Sequence, residues 1–140
     1  MAQEIEQAGC RMELTVAPEL PAVAGDPVAL ELVFRKLIGN AVRHGAGGKW
    51  IGVSAARTAD GVEIRVSDRG PGIPETECER VFEPFYRGEQ TRAQRVQGTG
   101  LGLSLVKTTV ERQQGSVKVQ NSPGGGAQFT VRLPAAPEAG

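Results

Sequence analysis

Histidine is nearly absent from the chain: one residue, His44, among 140, beside two cysteines, Cys10 and Cys78, that form no CxxC pair. That set cannot assemble the usual Cys/His zinc site, and two widely spaced cysteines fit a reduced, cytoplasmic setting better than a disulfide framework. Net charge is missing too. Sixteen Lys+Arg balance sixteen Asp+Glu, so no overall field draws the chain to nucleic acid or to an anionic membrane surface, and neither is expected as a partner. No apolar run approaches the ~18 to 20 residues needed to span a bilayer. The start, Met1-Ala2-Gln3-Glu4, lacks a charged region followed by an apolar one, so it does not read as a signal peptide.

Glycine, by contrast, is abundant. Nineteen residues are about twice the usual share of about 7%, which points to places where backbone turns tightly or approaches a ligand. Apolar residues at 39% and charged residues at 23% lie in the range of folded domains, and the length suits one domain. The domain is expected over residues 1–133, with the Pro/Ala/Gly stretch 134–140 as a flexible tail.

Residues 2–9 read as a short helix, and Met12 to Val16 alternates as a strand. Asp26 followed by Pro27 is an N-cap with proline at the first helical position. Leu30, Val33, Phe34, Leu37 and Ala41 then keep helical spacing to an end near His44-Gly45. Lys36, Asn40, Arg43 and His44 fall along one edge of that helix, within roughly 100° of one another. Ile51, Val53 and Ala55, then Val62, Ile64 and Val66, alternate across a turn at Asp60-Gly61 and predict a hairpin. Asp68 continues the second strand's parity, so its carboxylate points to the core face, where it needs a partner. Gly70-Pro71-Gly72-Ile73-Pro74 is too rich in Gly and Pro for regular structure, and a short helical segment is expected over residues 77–83. Arg87 to Gly98 is polar and aperiodic, and its length suggests a lid. Gly98-Thr99-Gly100-Leu101-Gly102-Leu103 opens a helix through Val106 and Val110 that ends near Gly115. A last hairpin pairs Val117 and Val119 with Phe129, Val131 and Leu133 across a turn at Pro123 to Gly126.

A core-facing acid, a glycine-rich loop running into a helix N-terminus and a cationic loop between them converge on a nucleotide. Unpaired N–H groups and partial positive charge at the helix start suit phosphate oxygens, which glycines let approach. Asp68 is an acceptor suited to the exocyclic amine of adenine and not to the carbonyl of guanine. Two commoner motifs fail. Leu103 and Glu75 stand where GxGxxG would need its last glycine, and Val106 stands where Lys107-Thr108 would need the glycine of a P-loop. The bland alternatives are that Asp68 only caps the Gly70-Pro71 turn, that Asn40 is a surface amide, and that the Gly98 to Gly102 run is a hinge.

Asn40-Ala41-Val42-Arg43-His44, Asp68-Arg69-Gly70-Pro71-Gly72-Ile73-Pro74, Val81-Phe82-Glu83-Pro84-Phe85-Tyr86-Arg87 and Gly98-Thr99-Gly100-Leu101-Gly102-Leu103 resemble, in order, the N, G1, F and G2 boxes of sensor histidine kinases. The resemblance implies their catalytic, ATP-binding domain: an α/β two-layer sandwich of Bergerat type, with a mixed, largely antiparallel sheet packed on helices. It further implies that Asn40 holds Mg²⁺ and Arg43 contacts phosphate, both as catalytic positions, with His44 at the pocket edge. Asp68 would take the adenine amine and Gly70, Gly72 and Ile73 the wall beside the base, the Phe82 to Tyr86 cluster would anchor the lid, and Tyr86 and Arg87 would be among the nucleotide-binding positions. Gly98, Thr99, Gly100, Leu101, Gly102 and Leu103 would line the phosphates. One amide ligand suffices physically, since Mg²⁺ keeps several waters and takes few protein ligands besides phosphates.

The function implied is transfer of the γ-phosphoryl group of Mg-ATP to a histidine on the kinase's own dimerisation domain, and through it to a response regulator. His44 is expected at the pocket edge or as a helix C-terminal cation and not as that acceptor. The domain itself would be cytoplasmic and free of direct membrane contact, in a parent protein that is compatible with an inner-membrane anchor. Three departures from the family pattern stand out: Lys36 one helical turn before Asn40, where an Asn is usual, His44 where an aromatic commonly follows the basic residue, and Ala127 where Thr or Ser is common. A self-sufficient ATPase switch of the gyrase or chaperone type, whose glutamate base would stand at Lys36, is the alternative, with a non-transferring nucleotide-binding module as a third.

Overall fold

The computed structural model describes residues 11–45, 50–83, 102–122 and 125–136, and within the first stretch side chains up to residue 42. In order the elements are β1 (Arg11–Val16), α1 (Pro27–Gly45), β2 (Trp50–Arg57), β3 (Gly61–Asp68), two single 3-10 turns (Glu75–Glu77 and Arg80–Phe82), α2 (Gly102–Arg112), β4 (Ser116–Asn121) and β5 (Ala127–Pro134). The strands form one sheet in the order β1-β2-β3-β5-β4. β1 pairs parallel with β2, and the other three pairings are antiparallel, as expected for a mixed, largely antiparallel sheet.

The start of α1 is fixed by the Asp26-Pro27 pair. The Val28 N–H donates to Asp26 Oδ1 at 3.0 Å and the Leu30 N–H to Asp26 O at 3.0 Å, while Pro27 needs no partner at that position. α1 and α2 lie on one face of the sheet. Val33, Leu37 and Ala41 of α1 and Val106 and Val110 of α2 close over Ile51, Val66, Phe129 and Val131. Phe129, Leu37 and Ile51 are the largest of the fully buried side chains, and each such side chain contributes about 1.5–3 kcal/mol by leaving water. The opposite face is polar: Glu63 accepts Arg65 and Arg132, each at 3.0 Å.

Three expectations are corrected in detail, and β1 adds a feature on which the sequence made no statement. β1 alternates as expected, but its apolar members stay out of the core, with Met12, Leu14 and Val16 at 39%, 66% and 57% exposure. They share the helix-side face with Ile51 and Val53, their β2 partners, yet α1 packs over β2 and β3 and α2 over β4, short of the sheet's outer edge. α2 ends in a Schellman motif in which the left-handed residue is Gln114, at φ +66°, and not glycine. Its bonds run from Gly115 N–H to Val110 O and from Gln114 N–H to Glu111 O. Gly115 serves close approach instead, since a Cβ there would strike the Arg132 carbonyl oxygen of β5. The segment expected as one helix over residues 77–83 is two separate turns, closed by i→i+3 bonds from Glu77 N–H to Pro74 O and from Glu83 N–H to Arg80 O. Residues 134–136, expected to open the tail, are paired. β5 runs through Pro134, Ala135 bridges Val23, and the Ala136 N–H donates to Ala22 O at 2.7 Å. The helix read over residues 2–9 and the lid lie outside the described residues.

Candidate functional site

Strand parity carries Asp68 into the interior. It stands opposite Ile51 at the last register position of β3 and is 5% exposed, the one buried charged side chain among the described residues. An ionised carboxylate so placed needs donors. The Gly70 N–H donates to its Oδ1 at 2.9 Å and the Ala127 N–H to the same oxygen at 3.2 Å. The first of these is the turn cap that an Asp before Gly-Pro suggests. Both bonds fall on Oδ1, and Oδ2 receives none from the described residues.

The loop after Asp68 is held at its far end as well. Gly72 takes φ +80°, and the next residue, Ile73, pairs with the side chain of Asn121 at the end of β4. Its N–H donates to Asn121 Oδ1 at 2.8 Å and its carbonyl accepts from Asn121 Nδ2 at 2.6 Å. Ile73 itself packs against the core. The Ser122–Gly126 turn completes the arrangement: Gly126, at φ +87°, lies so close to the Asp68 carbonyl that any Cβ would collide with it. On the polar face of the sheet, the Arg69 guanidinium stacks 4.2 Å from the centre of the Trp50 ring, fixing the residue after Asp68.

Cys78 faces the same loop, with Sγ 3.7 Å from Pro74 O and 3.9 Å from Ile73 O. Burial, aided by Glu75 and Glu77, pushes its thiol up from the ordinary range. Phe82 is buried and meets Phe129 edge-on, with ring centres 6.1 Å apart, while Lys107 Nζ lies 5.9 Å from the Phe82 ring. Asn40 and Lys36 sit half-buried on α1, one turn apart, as the helical spacing requires. Among the described residues nothing hydrogen-bonds the Asn40 amide. α2 starts at Gly102, where a Cβ would meet no described atom within 4 Å, and Leu103 packs toward the core.

The structure thus brings together Asp68, Gly70, Gly72 and Ile73 and puts Asn40, Gly102 and Leu103 on the helices above the sheet. The side chains of Arg43 and His44, and Tyr86, Arg87, Gly98, Thr99, Gly100 and Leu101 entirely, lie outside the described residues. Sequence reasoning missed Asn121 and Gly126. Asn121 gives no local signal, since its partner is 48 positions away; Gly126 was visible only as a turn residue.

Comparison with known proteins gives a consistent picture. The family described as histidine kinase-, DNA gyrase B-, and HSP90-like ATPase matches residues 25–137. The sensor-like histidine kinase SenX3 of Mycobacterium tuberculosis is 39% identical over 125 residues, covering 89% of this chain and 30% of that protein. Among solved structures, the full-length kinase ShkA in complex with AMPPNP superposes with a TM-score of 0.82 at 27% identity, over 97% of this chain and 28% of that one. The ATP binding domain of PrrB from Mycobacterium tuberculosis gives 0.69 at 31% identity, over 96% of this chain and 93% of that one. The chain spans less than a third of the curated relatives it matches.

Proposed function

Because the chain belongs to the family of histidine kinase-, DNA gyrase B- and HSP90-like ATPases, we propose that it is the catalytic, ATP-binding domain of a sensor histidine kinase. It binds Mg-ATP and presents the γ-phosphoryl group to a histidine on the kinase's separate dimerisation domain, from which a response regulator is served. The observation that carries this reading is Asp68: a buried carboxylate at a strand end, with Oδ1 committed to backbone N–H groups and Oδ2 unclaimed by the described residues. The adenine amine donates to Oδ2, while Gly70, Gly72 and Ile73 wall the base. AMPPNP in ShkA and the ATP binding domain of PrrB support the choice of nucleotide.

The half-buried amide of Asn40, free of described partners, suits Mg²⁺, a hard cation content with one protein oxygen when phosphates and water supply the rest. Bound there, the ion would offset charge on the β- and γ-phosphate oxygens. Arg43 neutralises phosphate from the same helix edge, His44 borders the pocket, and the α2 N-terminus at Gly102-Leu103, with Gly98, Thr99, Gly100 and Leu101 before it, cradles the phosphates. Tyr86 and Arg87 are proposed as nucleotide-binding positions on the resemblance alone. In the transfer step an imidazole nitrogen of the acceptor forms the bond to γ-phosphorus as the bond to the bridging oxygen breaks, and ADP leaves. Positioning and electrostatics supply most of the rate.

A self-sufficient ATPase is not favoured, because Lys36 and no carboxylate stands one turn before Asn40. The test is radiolabelled ATP with this chain, with and without a dimerisation domain added in trans. Label is expected on the added domain alone; stable label on this chain would contradict the reading.

A further inference from the structure

We propose that Asn121 is a positioning residue for base recognition, acting through the backbone of Ile73 to hold the adenine loop at a fixed distance from Asp68. The inference rests on the reading of Asp68 as acceptor of the adenine amine. The planar carboxamide of Asn121 offers one acceptor and one donor, and Ile73 presents one N–H and one carbonyl to it, at 2.8 and 2.6 Å. Turning the amide over would set two donors face to face and two acceptors likewise, so the network itself fixes its orientation.

Asn121 is the direct cross-strand partner of Ala127, and Ala127 N–H is, with Gly70 N–H, one of the two donors to Asp68 Oδ1. One strand pair of the β4–β5 hairpin therefore grips the loop at both ends, Ala127 at Asp68 and Asn121 at Ile73. Gly72 shows the same constraint from the loop's side. Besides its φ of +80°, a Cβ there would lie 2.6 Å from Asn121 Oδ1, so glycine at this position makes room for the Asn121 contact. A loop anchored only at Asp68 would leave the wall beside the base free to drift. Anchored twice, it presents one shape, and selectivity for adenine over guanine depends on that shape.

The test compares the whole chain with Asn121→Ala and Asn121→Asp by calorimetric titration of ATP and GTP and by hydrogen exchange of single amides. Asn121→Asp keeps volume and the acceptor for Ile73 N–H but sets a carboxylate oxygen against the Ile73 carbonyl, so it isolates the donor. In both variants the ATP over GTP preference is expected to fall roughly tenfold, the scale of one or two lost hydrogen bonds, with a melting temperature lowered by no more than a few degrees, so that the chain stays folded at the temperature of the titration. The Ile73 amide in Asn121→Ala is expected to exchange at least about tenfold faster while the Val66 and Val131 amides keep their protection. An unchanged nucleotide preference beside a wild type that prefers ATP would overturn the role of Asn121 alone. A wild type that binds no ATP would overturn it together with the function proposed above, and the Ile73 exchange rate would still say whether the clamp exists.

Discussion

At the β2–β3 turn the Thr58 N–H bonds Gly61 O at 2.9 Å and the Gly61 N–H bonds Thr58 Oγ1 at 3.0 Å, within the hairpin, and the bond that leaves it, from Ala135 N–H to Asp60 O at 3.0 Å, goes to the residue after β5 and not to the loop that follows Asp68. The β4–β5 turn also closes locally, with Ser122 N–H on Gly126 O at 2.9 Å and Gly125 N–H on Ser122 O at 3.0 Å, but the residues that flank it reach the loop after Asp68 as well. Ala127 holds Asp68, Asn121 holds Ile73, and Gly126 presses on the Asp68 backbone. Both connections join antiparallel neighbours of one sheet, and both have turn chemistry legible in the sequence. The first costs stability when damaged; the second is expected to cost binding as well. Neighbouring hydrogen bonds thus serve different ends according to whether or not they reach the loop that follows Asp68.

The largest effect is expected from Gly126→Ala. It demands a left-handed conformation of a residue with a Cβ and drives that atom into the Asp68 carbonyl, at a combined cost on the order of 3 kcal/mol. A melting temperature lower by about 10 °C, read by circular dichroism, together with loss of ATP binding, is expected. A binding defect without any thermal shift would break the account of Gly126. Gly72→Ala comes next: φ +80° and the approach of Asn121 Oδ1 predict about 1–2 kcal/mol of strain. Its ATP affinity should fall by about tenfold or more, while hydrogen-exchange protection of the α1 amides stays in place.

Thr58→Ala sharpens the contrast from the other hairpin. Removing one partly exposed hydrogen bond should cost about 1 kcal/mol of stability, a few degrees of melting temperature, and nothing in the ATP titration. The smallest effect concerns Cys78, whose raised thiol pKa lowers the thiolate fraction at any pH below it. In a Cys10→Ser background, iodoacetamide should modify the folded chain more slowly than the unfolded chain at pH 8. Adding Asn121→Ala should speed that reaction by loosening the loop against Sγ.

Local periodicity made much of this readable in advance. The Asp26-Pro27 cap, the amphipathic α1, both hairpins and the inward parity of Asp68 depend on residues within a few positions of one another, where helical and strand repeats act. What stayed hidden depends on partners brought close only by folding. No repeat within residues 11–16 says that β1 pairs parallel with β2 or that its apolar face escapes cover. Gln114 in the left-handed position reflects the demand of β5 on Gly115, and a polar residue closing a strand, like Asn121, looks the same in sequence whether or not it clamps a loop. Of the proposed site, the burial of Asp68 and the irregular loop after it were legible, while the contacts of that loop with Asn121 and Ala127 were not.

The central claim is that Asp68 recognises adenine, and a calorimetric titration of ATP and GTP with Mg²⁺ into wild type and Asp68→Asn tests it most directly. The asparagine keeps an Oδ1 for Gly70 and Ala127 but turns a donor toward the adenine amine. ATP should bind the wild type in preference to GTP, and the substitution should weaken ATP by about 10- to 150-fold, the worth of a charge-assisted hydrogen bond at about 1.5–3 kcal/mol, with little change in melting temperature. Equal ATP affinity in the two proteins would contradict the account.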